Sequence, residues 1–139
     1  MLRLLSALIV GALAFGFAYL HSGSSSAAPV LATQSSEAGG VNVVVTPTAL
    51  GPGVTVWEFE VAMDTHSQSL DADISQAAVL VDEAGNRYNA TAWQGDPPGG
   101  HHRRGILQFP APADMPAAVE LQIDGVGGAG TRTFRWELK

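Results

Sequence analysis

Apolar and polar residues alternate along several stretches of the chain, which is the pattern of β-strands with one face in a core and the other in water. The clearest stretch is Trp57–Met63, where every second residue is large and apolar and two glutamates lie between them. Val119–Asp124 and Phe134–Leu138 alternate in the same way. Each stretch therefore predicts a strand that covers a hydrophobic core.

The patterned stretches together predict an all-β fold of about seven strands, because turn residues separate them at short intervals and no stretch is typical of a long helix. The predicted strands are Val41–Thr46, Trp57–Met63, Ala77–Val81, Arg87–Trp93, Gly105–Phe109, Val119–Asp124 and Phe134–Leu138. Asp82–Asn86 is typical of a hairpin turn in which Gly85 or Asn86 takes a positive φ. We expect an immunoglobulin-like antiparallel β-sandwich, and a small barrel is the alternative.

Residues 1–26 have the layout of a secretory signal, because Arg3 precedes an apolar run of 17 residues, Leu4–Leu20, and small residues follow it. A run of this length is at the lower edge of what spans a bilayer, so a cleaved signal peptide and an uncleaved signal anchor are both open. Arg3 on the cytoplasmic side places the rest of the chain outside. We expect an exported protein, periplasmic or extracellular, which is either soluble or anchored by this segment.

Residues 27–40 are rich in Ala, Ser and Gly without periodicity, which predicts a flexible tether before a sandwich domain at 41–139. The chain has no cysteine, which excludes a lipoprotein anchor, a disulfide framework and a thiolate metal site. All 13 acidic residues but only six of the seven basic ones follow residue 32, so the exported part has a net charge of −7. This charge argues against nucleic acid as a partner and against direct adhesion to anionic lipid.

The most unusual stretch is Trp93–Gly105, which contains two prolines, four glycines, two adjacent histidines and two adjacent arginines. Such a composition predicts a shaped loop between two strands. If consecutive strands alternate in direction, the loops at 64–76, 94–104 and 125–130 share one end of the sandwich. By the same reasoning the tether leaves from that end, which would face the membrane if the leader is an anchor.

A transition-metal site is the sharpest hypothesis for this loop end. Asp64, His66, His101 and His102 offer carboxylate and imidazole ligands that suit zinc, copper or iron. The alternative is that His66 and one of the adjacent pair hydrogen-bond to backbone groups and hold two long loops together. No close ligand spacing such as His-x-x-x-His occurs, so both interpretations stay open.

Four further residues of the loop are candidates for binding or structural roles. Arg103 and Arg104 are the only concentrated positive charge in an acidic domain, and they suit either an anionic partner or pairing with Asp96 or Asp64. We favour the pairing. Trp93 ends a predicted strand, so it packs either in the core or as a lid over the prolines of the loop.

Two other chemistries have weaker support. Asp71 and Asp73 provide two carboxylates for calcium, but the full calcium-loop pattern is missing, and Asp71 is as well suited to capping a turn with Asp73 solvated. Asp64, His66 and Ser67 occur together, but neighbours in sequence seldom form a catalytic triad, and no nucleophile-elbow motif occurs. We therefore do not expect an enzyme.

The segments Asp64–Ser67, Leu70–Asp73, Asp82–Tyr88 and Trp93–Gly105 resemble a group of uncharacterised exported prokaryotic domains. In that group a similar Asp-Thr-His-Ser strand end is followed by a similar Gly-Asp-Pro-Pro-Gly-Gly-His-His-Arg loop. The resemblance covers about residues 41–139 and implies a single β-sandwich at or beyond the membrane. It implies that the two histidine segments belong together, and it brings no catalytic or ligand assignment.

The sequence thus predicts an exported binding or accessory module, tethered to the membrane through its N-terminal segment, with a His/Asp-rich loop end that binds zinc or copper. In the alternative, the histidines are structural, and the domain acts on a protein partner through strand edges or an apolar patch.

Overall fold

A computed structural model of the protein describes residues 31–139, which form nine strands, a short helix and a 3₁₀ turn. The elements are β1 Gln34–Ala38, β2 Val41–Ala49, β3 Val56–Thr65, α1 Ile74–Ala77, β4 Ala78–Asp82, β5 Arg87–Asn89, β6 Ala92–Gly95, β7 His102–Pro110, β8 Ala118–Ile123, the 3₁₀ turn Val126–Gly128 and β9 Arg132–Glu137. None of the helices in these residues is long and apolar enough to cross a membrane. The predicted signal or anchor at 1–26 lies outside the described residues.

The strands of residues 31–139 form two antiparallel sheets. The first sheet has five strands in the order β1-β2-β3-β7-β6, and the second has four in the order β5-β4-β8-β9. The expectation of an all-β, antiparallel, two-sheet architecture is confirmed. The hairpin turn predicted between β4 and β5 is present as well, and Gly85 takes the positive φ, at 85°.

The alternating residues of both sheets meet in one hydrophobic core. β3 places Trp57, Phe59, Val61 and Met63 inside with at most 1% exposure, as its sequence pattern predicts. Phe59 lies at the centre, where its ring packs edge-to-face on Phe109 at a centroid distance of 5.8 Å. The strand alternation therefore determines which face of each sheet is covered.

The stretch Arg87–Trp93, which we predicted as one strand, is two strands in different sheets. β5 pairs with β4 in the second sheet, whereas β6 pairs with β7 in the first. The chain crosses between the sheets at residues 90–91 without reversing, and Thr91 N–H begins the new pairing by donating to the Gln108 carbonyl at 2.8 Å. No proline or glycine marks this crossing, so the sequence pattern does not separate the two strands.

Gln34–Ala38, which belongs to the segment that we expected to be a flexible tether, is the edge strand β1. It pairs with β2 from Gln34 opposite Val45 to Ala38 opposite Val41. The two strands are connected by a turn at Gly39 and Gly40, with φ of 57° and 75°. The expectation is wrong for these five residues, because an edge strand is held by backbone pairing and needs no apolar pattern. Residues 27–30 of that segment lie outside the described part.

β1 also changes where the chain enters the domain. We call the end with the connections 66–73, 96–101 and 124–131 the upper end, and the end with the connections 50–55, 83–86 and 111–117 the lower end. Because β1 runs antiparallel to β2, the chain enters at the lower end and first reaches the upper end at Ala38. The expectation that the tether leaves from the loop end is therefore wrong.

Candidate functional site

The two histidine-bearing loops pack against each other at the upper end, as the strand directions predicted. The amide of Gly99 donates to the carbonyl of Leu70 at 2.9 Å, and the amide of Thr65 donates to the carbonyl of His101 at 2.9 Å. The third connection, at Gly125–Gly128, lines a cavity of about 440 Å³ together with Leu70 and Arg103. The prediction that the three loops share one end holds although Arg87–Trp93 is two strands, because the chain keeps its direction from β5 to β6.

Arg103 is the side chain that holds the loops together. It lies on the inner face of β7 with 3% exposure. Its Nη1 donates to the carbonyls of Leu70 at 3.1 Å and Ala72 at 2.6 Å, and its Nε donates to the carbonyl of Asp96 at 3.1 Å. Burial lowers the pKa of Arg103, and the charges of nearby aspartates oppose that shift. The guanidinium thus binds carbonyls from both long loops and fixes their relative position.

Trp93 packs inside, against Arg103 and a pair of glycines. The Arg103 Cζ atom lies 5.3 Å from the centroid of the Trp93 ring, and Trp93 Nε1 donates to the Asp96 carbonyl at 2.8 Å. A Cβ atom on Gly105 would lie 2.7 Å from Trp93 Cζ2, so the glycine makes room for the indole. Gly95 stands opposite Gly105, and a Cβ atom on Gly95 would collide with the backbone of Gly105. Trp93 is therefore an inward-facing, partly buried residue that packs against the core at the base of the loop.

The expected ion pairing of the two arginines with Asp96 or Asp64 is wrong in its chemistry. No salt bridge joins Arg103 or Arg104 to a carboxylate in residues 31–139. Arg103 instead binds the Asp96 carbonyl, and the Asp96 carboxylate accepts the backbone amide of Arg104 at 2.8 Å. Asp96 thereby closes the loop onto the start of β7, while the Arg104 side chain stays exposed.

Thr65 is a second anchor that the sequence did not single out. It is 3% exposed, and its hydroxyl donates to the carbonyl of Gly40 at 2.7 Å. The same oxygen accepts the amides of Ser67 at 3.2 Å and Gln68 at 3.0 Å. Thr65 thus connects the turn between β1 and β2 to the loop that follows β3.

Arg132, at the start of β9 in the second sheet, is a second buried arginine that binds carbonyls, and three of its four acceptors belong to β1 and β2 of the first sheet. It is 3% exposed, and its guanidinium donates to the carbonyls of Ser36, Ala38, Val41 and Val126 at 2.6 to 3.1 Å. Burial lowers its pKa. Strand alternation was the signal available for both residues, because Arg103 shares its face with Leu107, and Arg132 shares its face with Phe134.

Among the four predicted metal ligands, the structure joins Asp64 and His102. They are register partners on the outer faces of β3 and β7, and Asp64 Oδ1 lies 2.6 Å from His102 Nδ1. Their side chains are 51% and 73% exposed. In the neutral ring, the tautomer with its hydrogen on Nδ1 donates to the carboxylate, and the lone pair is then on Nε2.

His66 and His101 lie at the same end, but they do not hold the loops. Both residues are exposed, and neither ring takes part in a hydrogen bond within the part of the chain that the structure describes. His101 contributes only its backbone carbonyl, which accepts the Thr65 amide. The role that the alternative hypothesis gave to histidine rings therefore belongs to Arg103 and Thr65.

The register of the first sheet adds two residues that the sequence did not indicate. Glu37, Asn42, Asp64 and His102 are successive cross-strand partners and form one row on the outer face. Glu37, Asn42 and Asp64 line a cleft of about 430 Å³ with His66. Glu37 was missed because β1 was not predicted. The cleft therefore brings carboxylate, amide and imidazole side chains to one place on the outer face.

These side chains do not form a metal-binding group in the structure as it stands. In residues 31–139 no group of three or more histidine, aspartate or glutamate side chains is close enough to hold a metal ion. Asp64 and His102 form a pair, and no third histidine, aspartate or glutamate side chain of the described residues completes a metal-binding group with them.

The remaining candidates have structural partners. Asp73, which we expected to be solvated, caps α1, where its carboxylate accepts the amides of Ser75 and Gln76. The hydroxyl of Ser75 is the main cause that lowers the pKa of Asp73. Asp71 accepts the hydroxyl of Ser69, which fits its expected role at a turn.

Comparison with known protein families, with curated proteins and with solved structures finds no match for this chain. The resemblance inferred from the motifs therefore stays a prediction, and the function must be inferred from the site itself.

Proposed function

We propose that this protein is an exported, membrane-tethered binding module whose upper end binds a transition metal ion, either zinc or copper, without catalysing a reaction. His102 provides the first ligand through Nε2, and His66 or His101 provides the next. Asp64 positions His102 from the opposite side of the ring. Imidazole nitrogens suit both metals.

The contact between Asp64 and His102 is the observation that carries this proposal. A carboxylate that accepts the Nδ1 hydrogen of histidine fixes the tautomer and the direction of Nε2, which is the usual arrangement behind a metal-bound histidine. The pair is 2.6 Å apart and exposed, so a metal ion can approach Nε2 freely.

The rigidity of the upper end supports the same proposal. Arg103 and Thr65 fix the backbone on both sides of the exposed rings, with four hydrogen bonds to loop carbonyls from the Arg103 and Thr65 side chains. Ligands on a fixed backbone lose less conformational entropy when they bind.

Two further parts of the proposal concern architecture and address. The order of β2 to β9 places β2, β3, β7 and β6 in one sheet and β5, β4, β8 and β9 in the other, which supports an immunoglobulin-like sandwich. Arg3 followed by the apolar run Leu4–Leu20 supports export, and the length of this run, above the usual h-region of about 7 to 15 residues, supports a leader that is retained as an anchor.

Calorimetric titration of the full-length chain in detergent micelles with zinc and with copper(II) tests the metal proposal. We expect one of the two to bind at about one equivalent. His102→Gln should abolish binding, and Asp64→Asn should weaken it about tenfold or more, because the ring loses its positioning partner. His66→Gln and His101→Gln then identify the second ligand.

Asp114→Asn is the matched control, since Asp114 is an exposed aspartate at the lower end and should leave binding unchanged. If neither metal binds, or if the His102→Gln variant binds as the parent chain does, the metal proposal is wrong. The protein–protein alternative would then be preferred.

A further inference from the structure

The lower end of the first sheet is formed by two loops with few charges. Residues 50–55 contain no charged residue, and residues 111–117 contain only Asp114. Between them lies a cleft of about 180 Å³, lined by residues that include Pro52, Val54, Trp57, Ala111, Pro112 and Met115. This surface, which we call the lower apolar cleft, contrasts with the aspartates and histidines of the upper end.

The apolar side chains at the lower end range from exposed to partly buried. Val56, the first residue of β3, is 43% exposed and is the one exposed large hydrophobic residue in residues 31–139. Leu50 and Met115 are only partly buried against the core. Because the loops here carry few charges, this end can contact an apolar surface at a small desolvation cost.

The chain reaches the domain at this same end. The carbonyl of Ala32 accepts Trp136 Nε1 at 2.7 Å, and the Thr33 hydroxyl meets that of Thr46 at 2.9 Å, so the backbone is fixed as soon as it enters. Leu31 is eleven residues after Leu20, the last residue of the apolar run, and eleven residues span at most about 40 Å. The lower end therefore stays close to whatever holds the run Leu4–Leu20.

We infer that the lower apolar cleft and Val56 rest on the surface of a lipid bilayer, so that the upper end is held away from it. This inference rests on the membrane tethering in the proposed function. β3 has ten residues, so the upper end lies about 33 Å beyond the lower end along the strand direction. The His/Asp cluster then faces the aqueous compartment, where it meets metal ions or a partner.

Charge determines which lipid surface fits. Asp82 and Glu83 lie at the lower end of the second sheet, and their carboxylates are occupied by hydrogen bonds from Asn86 and Tyr88 and from the amides of Ala117 and Ala118. Together with Asp114 these carboxylates outnumber the ammonium group of Lys139, which donates to the Met115 carbonyl, so an anionic bilayer would repel this end. A zwitterionic headgroup region allows the apolar side chains to enter without this penalty.

Lipid quenching measured at each end of the domain tests the orientation. The chain has no cysteine, so Ala113→Cys at the lower end and Gly130→Cys at the upper end each give one labelling position. Both residues are exposed, and a Cβ atom at Gly130 meets nothing within 4 Å. The full-length variants carry an environment-sensitive fluorophore in phosphatidylcholine vesicles that contain lipid with a nitroxide near the headgroup.

We expect the probe at residue 113 to be quenched about threefold more strongly than the probe at residue 130. Equal quenching at the two positions, stronger quenching at residue 130, or no quenching at either position would each overturn the orientation. If the chain does not float with the vesicles at all, the tethering itself is wrong and the orientation is wrong with it. Flotation without quenching overturns the orientation alone.

A charge at the contact sharpens the test. Val56→Glu should remove most of the difference between the two probes, because it places a carboxylate at the surface that we assign to lipid. Thr133→Glu is the matched control, since Thr133 is an exposed strand residue on the second sheet and should leave the difference intact. Val56 is already exposed, and a urea unfolding curve checks that the variant is folded. An unchanged difference with Val56→Glu would contradict the assignment.

Discussion

The two ends of the sandwich differ in the groups that stand out in holding their loops, which are buried guanidinium groups at the upper end and carboxylates at the lower end. At the upper end, side-chain donors bind loop carbonyls, as Arg103, Arg132 and Thr65 show. At the lower end, side-chain acceptors bind backbone amides, as Asp82 does within its hairpin and Glu83 does with the loop before β8. Donors and acceptors are equally able to satisfy a loop backbone.

The difference determines which groups remain free at each end. Because buried guanidinium groups hold the upper loops, the imidazoles of His66, His101 and His102 stay on the surface, where they can bind a ligand. The one exposed large apolar side chain of residues 31–139, Val56, lies at the lower end. The residues that hold the upper loops are thus distinct from the residues that we propose as ligands.

Removal of the Arg103 side chain should have the largest effect on this contrast. Arg103→Ala leaves the carbonyls of Leu70, Ala72 and Asp96 without their donor, and we expect a loss of about 2–4 kcal/mol in the free energy of unfolding. Urea unfolding of the two chains measures the loss. Arg104→Ala is the control, because its exposed side chain should change stability by less than about 0.5 kcal/mol. Similar losses in both variants would contradict the anchoring role of Arg103.

A methyl group at Gly105 tests whether the tryptophan beneath the loop needs its space. Gly105→Ala brings Cβ to 2.7 Å from Trp93 Cζ2 and 2.8 Å from the Gln94 carbonyl, and we expect a loss of about 1–3 kcal/mol. Gly130→Ala is the matched control at the same end, because its Cβ meets nothing within 4 Å. Thermal unfolding compares the two. A Gly105→Ala variant as stable as the control would show that the indole can move away at little cost.

The hydroxyl of Thr65 should contribute less than either of these. Thr65→Val keeps the shape of the side chain but leaves the Gly40 carbonyl and the amides of Ser67 and Gln68 without a partner, and we expect a loss of about 1–2 kcal/mol. Amide hydrogen exchange should become faster at residues 66–68 and stay unchanged in the hairpin after β4. Uniform acceleration over the whole domain would contradict a local role.

Acid should weaken the lower end through its carboxylates. Hydrogen bonds from Asn86 lower the pKa of Asp82 from 3.8, and the amide of Ala117 lowers the pKa of Glu83 from 4.5. A carboxylate whose pKa is lower in the folded chain than in the unfolded chain stabilises the fold at pH values above its unfolded pKa. This stabilisation is lost as the pH falls through its folded pKa. The urea concentration at the unfolding midpoint should therefore decrease when the pH is lowered below about 4. Asp82→Asn should make this decrease smaller. If the urea midpoint of Asp82→Asn depends on pH as that of the parent chain does, Asp82 does not cause the acid sensitivity.

The sequence predicted the parts of the fold that depend on apolar alternation. The core strands around Trp57 and Phe134 were found in this way, and strand direction brought the two histidine loops to one end. β1 was missed because backbone pairing holds it, and the crossing between β5 and β6 has no local sequence mark.

The candidate site was predicted in part, for a related reason. Arg103 was expected to pair with a carboxylate and Arg132 was not singled out, although both occupy inward positions of their strands. The pairing of Asp64 with His102 depends on the register of β3 and β7, which no single strand pattern encodes. Glu37 joined the row only because β1 exists.

The state of the histidine rings tests most directly the claim that arginine holds the loops and leaves the imidazoles free. Nitrogen NMR of the full-length chain resolves each ring before and after one equivalent of zinc. We predict His102 with its hydrogen on Nδ1 and a zinc-dependent shift at Nε2, while the ring hydrogens of His66 and His101 exchange rapidly before zinc is added. Slowly exchanging ring hydrogens on His66 and His101, with no shift on any ring at one equivalent of zinc, would contradict it.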